Sequence, residues 1–207
     1  ISGAEVGIGF SHEEPLTQGL KHFVSSYKDL PVYAYQIQTK FRNELRAKNG
    51  LLRCREFLMK DLYSFSRTEQ EHQDFYEKVS AAYLKIFTRL GFDKNITFRT
   101  FASGGVFSQF SDEFQVLSQI GEDTIFVDKD KKLAVNKEVY TDELLAKLGL
   151  DKANLVEERA VEVGNIFSLG SKYSDALGLL YVDESGQRRS IIMGCYGIGV
   201  SRLMGLI

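Results

Sequence analysis

The sequence predicts an α+β fold, an antiparallel β-sheet flanked by helices, in one domain over residues 1–207. Three observations carry this. Runs with period-two apolar alternation dominate the second half, while runs at helical spacing are few. The runs follow one another as a helix, a long hairpin, a helix and then mostly strands, so hairpins outnumber βαβ units. With 207 residues, 43% hydrophobic and 26% charged, the chain has the ordinary globular composition that fills one sizeable core.

Each element has its own signal. Residues 1–10 are glycine-rich and read as a loop leading to a site. Residues 13–27 read as a helix: Pro15 is tolerated in the first turn, and Leu16, Leu20, Phe23 and Tyr27 repeat at three and four. Ser11 fits its N-cap with Glu14 in the capping-box position. Pro31 ends the helix by forcing Leu30 extended. Residues 32–44 alternate, with Tyr33, Tyr35, Ile37, Thr39 and Phe41 on one face. Asn49-Gly50 follows as a hairpin turn, since both tolerate positive φ, and a second strand starts at Leu51. The longest helix is expected over 68–90: Thr68 and Glu71 form a capping box, Phe75, Val79, Ala82, Tyr83, Ile86 and Leu90 form the apolar stripe, and Gly91 stops it. Strands are expected at NITFRTFA, DEFQVLSQI, TIFVDKD, VEVGNIF, GLLYVD and RRSIIMGCYGIG, with a loop at SGGVFSQF, a short helix over 141–148 and a last helix beginning near Val200.

A net charge of −2 advertises no global basic field, so any RNA contact rests on a local patch. Cys54 and Cys195 have neither metal-ligand nor disulfide spacing, which predicts no structural zinc and a reducing compartment, the cytoplasm or an organelle matrix. His12, His22 and His72 show no metal spacing, and His22 and His72 read as surface positions on helices. No apolar run approaches the ~20 residues of a membrane span. The start without Met and the end within RLMGLI are read as marks of a piece of a longer protein.

Chemistry concentrates in two stretches. The hairpin carries Arg42, Glu44, Arg53 and Arg55 beside Phe41 and Phe57. Arginine's planar fork suits phosphate or carboxylate, and an aromatic ring suits a purine face. Surface strands also carry such charges as weak cross-strand pairs, and Phe57 alone fits core packing. The second stretch, GCYGIGVSR, puts Gly194, Gly197 and Gly199 on one strand, where glycine weakens a sheet unless a flat ligand lies against the backbone. Arg202 then falls early in a helix and can reach back to phosphate. A Rossmann turn is rejected, because the third glycine and the βαβ context are missing.

Phe41-Arg42-Asn43-Glu44, followed by Arg53, Phe57 and Asp61, resembles motif 2 of the class II aminoacyl-tRNA synthetases, over about 41–65. Residues 194–205 resemble motif 3. The wording SSYKDLPVYAYQIQTKFRNE, CREFLMKDLYSF and EVGNIFSLGSKYSDAL is similar to the prolyl-tRNA synthetases in particular. The resemblance runs over nearly all of the chain, thinnest near 129–158. It implies a ligase that joins proline to the α-phosphate of ATP and passes it to tRNA(Pro). By this resemblance Arg42 bridges α-phosphate and carboxylate, Glu44 accepts from the adenine amino group, Phe57 stacks on adenine, Gly197 and Gly199 lie under the nucleotide, and Arg53 and Arg202 hold the γ-phosphate end. Ser11 and Glu13 stand where the family binds the substrate amino group. Asp112 and Asn165 replace histidines expected near the proline pocket, with the Gly104-Gly105 loop as its greasy wall. Arg46 matches a position that reads the acceptor stem, although a solvated turn charge explains it equally well. Mg²⁺ would come with ATP, with Glu162 as candidate ligand. The parent would be a homodimer, and the segment at about 137–157 stands in place of an editing insertion. The alternative is a repurposed synthetase-like binding protein with the nucleotide site kept and the pocket changed.

Overall fold

The computed structural model describes residues 3, 5 and 7–207, so residues 1, 2, 4 and 6 of the expected leading loop lie outside the described residues. Helix α1 (Glu13–Leu20) is shorter than its spacing suggests. The Asp29 carboxylate accepts from the backbone N–H groups of Ser25 and Ser26 at 3.0 and 2.8 Å, and this fixes a separate 3₁₀ turn at Tyr27–Asp29. His12, not Ser11, occupies the N-cap of α1, with no side-chain bond, so the expected capping box does not form.

Strands β1 (Val32–Phe41) and β2 (Glu56–Ser66) pair antiparallel from Val32↔Phe65 to Phe41↔Glu56. Asn49 and Gly50 both take φ of 57°, as their residue types invite. They sit inside a longer connection, however: Gly50–Leu52 is a 3₁₀ turn, and β2 begins at Glu56 rather than at Leu51. The stripe Tyr33, Tyr35 and Ile37 is the exposed face of this edge strand.

Helix α2 (Glu69–Arg89) starts at its expected cap, where Thr68 Oγ1 accepts from Glu71 N–H at 3.1 Å, and it ends before Gly91 at φ 96°. The Glu71 carboxylate reaches back to Arg67 N–H, one residue before the cap. The buried stripe is His72, Tyr76, Val79, Ser80, Tyr83 and Phe87, rotated from the expected one, and Ile86 and Leu90 are exposed. His72 is therefore no surface residue: it is buried against β-sheet, with Nε2 2.9 Å from Ser168 Oγ, and burial lowers its pKa.

Then come β3 (Thr97–Ser103), β4 (Phe110–Leu117), β5 (Asp123–Asp128), β6 (Leu133–Asn136), α3 (Asp142–Leu148), β7 (Val156–Gly170), α4 (Lys172–Leu177), β8 (Leu180–Val182), β9 (Arg188–Ser190), β10 (Ile192–Gly199) and α5 (Val200–Leu206). The short β6 and α4 carry too few residues to show a period. The large sheet has the order β1-β2-β10-β7-β4-β3-β6-β5. It is mixed rather than purely antiparallel, because β6 runs parallel to β3. β5 also pairs with the first half of β7, so five strands close on themselves around Phe98, Ile125, Val127, Ala134 and Ala160.

Period two divides the sheet into two faces. Helix α2 covers one, where Tyr83 and Phe87 pack on Phe114, Ile166, Tyr196 and Ile198. On the other face α1 packs on Tyr63, Phe65, Met193 and Cys195 at one end and leaves the centre open. That open centre holds the site.

Candidate active site

The open centre is a cleft of about 890 Å³, with β2, β10 and β7 as floor, α1 at one end and the residue 44–53 loop with α5 at the other. Its lining includes Ser11, Glu13, Arg42, Glu44, Arg53 and Phe57, and also Asn165, Glu162, Gly199 and Arg202. The residues read from sequence thus converge, apart from Asp112, Gly197 and Arg46.

Arg42 follows the last residue of β1, with its backbone N–H bonded to Arg55 O at 2.8 Å. Its guanidinium lies 5.2 Å over the Phe57 ring, and Nε donates weakly to Phe10 O at 3.5 Å. Among the described residues the donors at its tip have no partner. Phe57 sits on β2 at the alternation that faces the cleft. Arg202 enters from the first turns of α5. Its Nε donates to Leu52 O at 3.0 Å and its Nη1 to Glu162 O and Oε2 at 2.8 and 3.0 Å. Arg53 is held by two carboxylates: Nη1 donates to Glu44 Oε2 at 3.0 Å and Nε to Glu122 Oε2 at 2.6 Å. Glu44 also accepts from the backbone N–H of Arg46, and these bonds, the backbone one first, lower its pKa.

The other end is built for a small cation with apolar flanks. Glu13, in the first turn of α1, is 3% exposed and accepts only a weak Cys195 Sγ–H contact at 3.3 Å. Beneath it Lys40 and Asp61 form a buried ion pair with Nζ–O distances of 2.9 and 3.0 Å. Lys40 cancels Asp61, so the Glu13 carboxylate is left uncompensated, and an ammonium supplies what it lacks. Phe107, from the glycine loop, and Phe167, on β7, pack with ring centroids 5.2 Å apart and planes tilted by 51° to wall this end. Glycines 104 and 105 do not line the wall themselves.

Three expectations need correction. Asp112 lies on the α2 face of the sheet, the parity of the buried Phe114. Arg99 Nη2 donates to its carboxylate at 2.7 Å and the Tyr76 hydroxyl at 2.8 Å, so it cannot enter the amino-acid pocket. Gly197 faces the cleft side but does not line it: a Cβ there would meet Met59 Cε at 2.6 Å and Asn165 Oδ1 at 3.0 Å. Gly194 is required by α2, because its Cβ would sit 2.8 Å from His72 Cε1 and from Ser64 Oγ. Arg46 needs no correction: it was expected at an acceptor stem or as a solvated turn charge, and it is exposed on the loop, outside the cleft.

Asn165 Nδ2 donates to Glu162 Oε1 at 2.8 Å, so both Glu162 oxygens already have partners. Among the described residues no group of three or more His, Cys, Asp or Glu side chains is placed to hold a metal ion. The residues present therefore do not form a ready-made metal site, and no step below is routed through one. Glu113, cross-strand from Asn165, is pushed up to about 8 by burial first and then by the Glu162 charge. Sequence reasoning missed Lys40, Phe107, Phe167, Cys195 and Glu122 as site residues. Lys40 shares its parity with Arg42, a signal that was legible; the others are brought in by pairings remote in sequence.

A model of the family described as tRNA synthetase class II core domain (G, H, P, S and T) matches residues 3–207. The chain is 39% identical over 221 residues to a proline–tRNA ligase of Anaplasma marginale, covering 100% of this chain and 51% of the relative. It is 43% identical over 219 residues to one of Sulfurimonas denitrificans, covering 95% and 49%. The chain thus spans about half the length of these curated relatives. The fold is similar to a prolyl-tRNA synthetase from Cryptosporidium parvum complexed with L-proline and AMP, with TM-score 0.68, 16% identity and coverage of 96% of this chain and 33% of that one. It is also similar to the Giardia lamblia prolyl-tRNA synthetase in complex with prolyl-adenylate, with TM-score 0.69, 18% identity and coverage of 95% and 32%.

Proposed function

The chain belongs to the class II tRNA synthetase core family, and on that premise we propose that it activates proline with ATP to prolyl-adenylate and passes the prolyl group to tRNA(Pro). The observation that carries this is the cleft's division of charge: arginines and an aromatic ring at one end, a buried carboxylate and a wall of two touching phenylalanines at the other. Activation brings two anions together and builds charge on phosphoryl oxygens, so fixed cations do most of the work. Arg42 stands between the two ends and draws the substrate carboxylate and the α-phosphate to one guanidinium. Phe57 stacks on adenine, Glu44 accepts from its amino group, and Arg53 and Arg202 take the γ-phosphate end. Glu13 holds the secondary ammonium of proline, with Ser11 beside it, and Phe107 and Phe167 flank the ring. Mg²⁺ would come with ATP as its counter-ion and would supply positive charge beside the phosphates. Asn165 orients Glu162, and Arg46 contacts the acceptor stem from the loop outside the cleft. The protein works as a homodimer in the cytoplasm or an organelle matrix.

The test is amino-acid-dependent exchange of labelled pyrophosphate into ATP, screened over all twenty amino acids with the protein at the length of its relatives. Proline gives the largest signal, and alanine a much weaker one because it leaves part of the pocket empty. Measurable ATP binding with exchange for none of the twenty favours a repurposed binding protein. Strong exchange with another amino acid shows that the pocket has been redirected. The rival reading drew on Asp112 and Asn165, and only Asn165 lines the cleft.

A further inference from the structure

Glu122 comes from the turn between β4 and β5, far in sequence from the 44–53 loop, yet three side chains of that loop converge on it. Arg53 Nε donates to Oε2 at 2.6 Å, Asn49 Nδ2 to Oε1 at 2.8 Å, and Lys48 Nζ lies 3.3 Å from Oε1. An isolated surface pair would carry little. Here one carboxylate takes all of its bonds from one loop, and its side chain is only 22% exposed. Burial works against its charge, but the bonds from Arg53 and Lys48 outweigh it and its pKa falls.

The direction of the grip matters. Glu122 takes the Nε edge of Arg53, while Nη1 points to Glu44, which lines the cleft. Arg53 and Arg202 both also line an adjoining hollow of about 340 Å³, and Glu122 forms part of its wall. The two arginines thus bound the same space: Arg202 is fixed by Glu162 on β7 and ties the loop to α5 at the Leu52 carbonyl, but that bond holds the backbone and leaves the Arg53 side chain to Glu44 and Glu122. Arg53 rides on a connection between strands and needs an outside anchor to face that space.

We propose that Glu122 is a positioning residue for the polyphosphate end of the nucleotide: it clamps the Nε edge of Arg53 and, through Asn49 and Lys48, pins the loop so that the terminal guanidinium nitrogens face the cleft. This rests on the reading of the cleft as an ATP site. Two effects oppose each other when Glu122 is removed. Losing a negative charge near a triphosphate tightens binding, and losing the clamp lets Arg53 wander and weakens it. The clamp wins, because a fixed fork makes directional charge-assisted bonds, whereas a charge beyond the first contact is screened by salt.

The experiment measures dissociation constants for ATP and AMP by titration calorimetry on the chain and its variants E122A, E122Q, R53A and E122A/R53A. E122A weakens ATP by about tenfold, the scale of one charge-assisted hydrogen bond, and leaves AMP within about twofold. E122Q keeps one acceptor for Arg53 Nε and recovers part of the loss. In the R53A background E122A costs ATP affinity nothing further, because Glu122 acts through Arg53. Equal weakening of ATP and AMP, or a full E122A penalty in the R53A background, overturns the proposal in favour of a general structural role. Unchanged ATP affinity in E122A, or tighter ATP binding by E122Q, overturns it also. A wild-type chain that binds neither nucleotide brings down the ATP-site reading, and the inference with it, and is distinct from every outcome in which wild type binds and the variants differ.

Discussion

Arg42 holds a guanidinium over Phe57 with its tip donors unspent, and the two residues should fail in different ways. In the proposed reaction Arg42 meets charge that grows in the transition state, so Arg42→Ala should slow adenylate formation by more than ~100-fold; less than a threefold loss at saturating substrates would remove its assigned role. In the same proposal Phe57 stacks on adenine in ground and transition states alike, so Phe57→Ala should raise the KM for ATP more than it lowers kcat. Glu113 allows a pH prediction. Its carboxyl sits at about 8 against an ordinary 4.5, through burial first and the Glu162 charge second, with Gln115 and Asn136 donating to it and the Asp123 charge nearby. Below the ordinary value both folded and unfolded chains hold the proton, and no stability is lost. As pH rises toward 8 the unfolded chain ionises first, so stability falls, and above 8 the deficit is complete. Glu113→Gln cannot ionise, so its gain in Tm over wild type should be larger at pH 8.5 than at pH 5; an equal gain at both would show that Glu113 titrates normally. The convergence of Arg42 and Phe57 on the cleft was legible in the sequence because spacing on paired strands fixes which side chains share a face. Asp112 was misplaced because a contact across the sheet depends on strand parity, and the irregular turn before β4 hid that parity. Phe107 and Phe167 were illegible as a pair, because only the tertiary fold brings the glycine loop onto β7.

Among the elements, α2 and β10 set each other's limits. Gly194 on β10 leaves room for the α2 residue His72 and for Ser64 on β2, each 2.8 Å from where a Cβ would stand. His72 is locked by its contact to Ser168, so it cannot yield cheaply. Gly194→Ala should cost about 1–3 kcal/mol by overpacking. At Gly197 the nearest atom is the flexible end of Met59, so Gly197→Ala should cost less stability than Gly194→Ala while altering the cleft floor. Thermal unfolding of the two variants checks the order, and a more stable Gly194→Ala protein would refute the packing argument. The glycine run was visible in the sequence, but its reason was half hidden: one glycine serves the helix behind the sheet, and another the cleft in front. Helix α2 itself was legible from Thr68 and Gly91. Its buried stripe came out rotated because Phe75 sits at the margin of the core, edge-on to Tyr196 and stacked on the ring of Tyr33, 3.9 Å away on the edge strand, while the small Ser80 and the polar His72 face inward.

For the whole molecule, the decisive interval is the one between the two motifs, from Asp61 to Gly194. All of it is committed to the sheet and the elements that pack on it. Residues 129–158, where the resemblance is thinnest, supply β6 and α3, and the buried Val135, Leu144, Leu145 and Leu150 form their own small core. β6 runs beside β3, and β5 closes onto β7, so this segment completes a ring of strands. A hydrolytic site needs a concave pocket with its own polar groups, and a domain that carries one ordinarily needs 50 residues or more. The segment over 137–157 amounts to one short helix between two 3₁₀ turns, with its apolar side chains turned into that small core. It caps the sheet by packing that small core on β3 and β6, against Phe101, Leu133 and Val135. Under the proposed function, correction of mischarged alanyl-tRNA should therefore not come from this interval, and within this chain selectivity falls to the amino-acid pocket. There, alanine keeps the ammonium for Glu13 but loses the ring contacts to Phe107 and Phe167, a discrimination of about 10–200-fold per missing methylene-sized contact. The measurement is deacylation of alanyl-tRNA(Pro) by the purified protein, with prolyl-tRNA(Pro) as control. Hydrolysis of the alanyl ester above background, with the prolyl ester untouched, would place an editing site on this interval after all and would reassign residues 137–157 from sheet cap to catalyst.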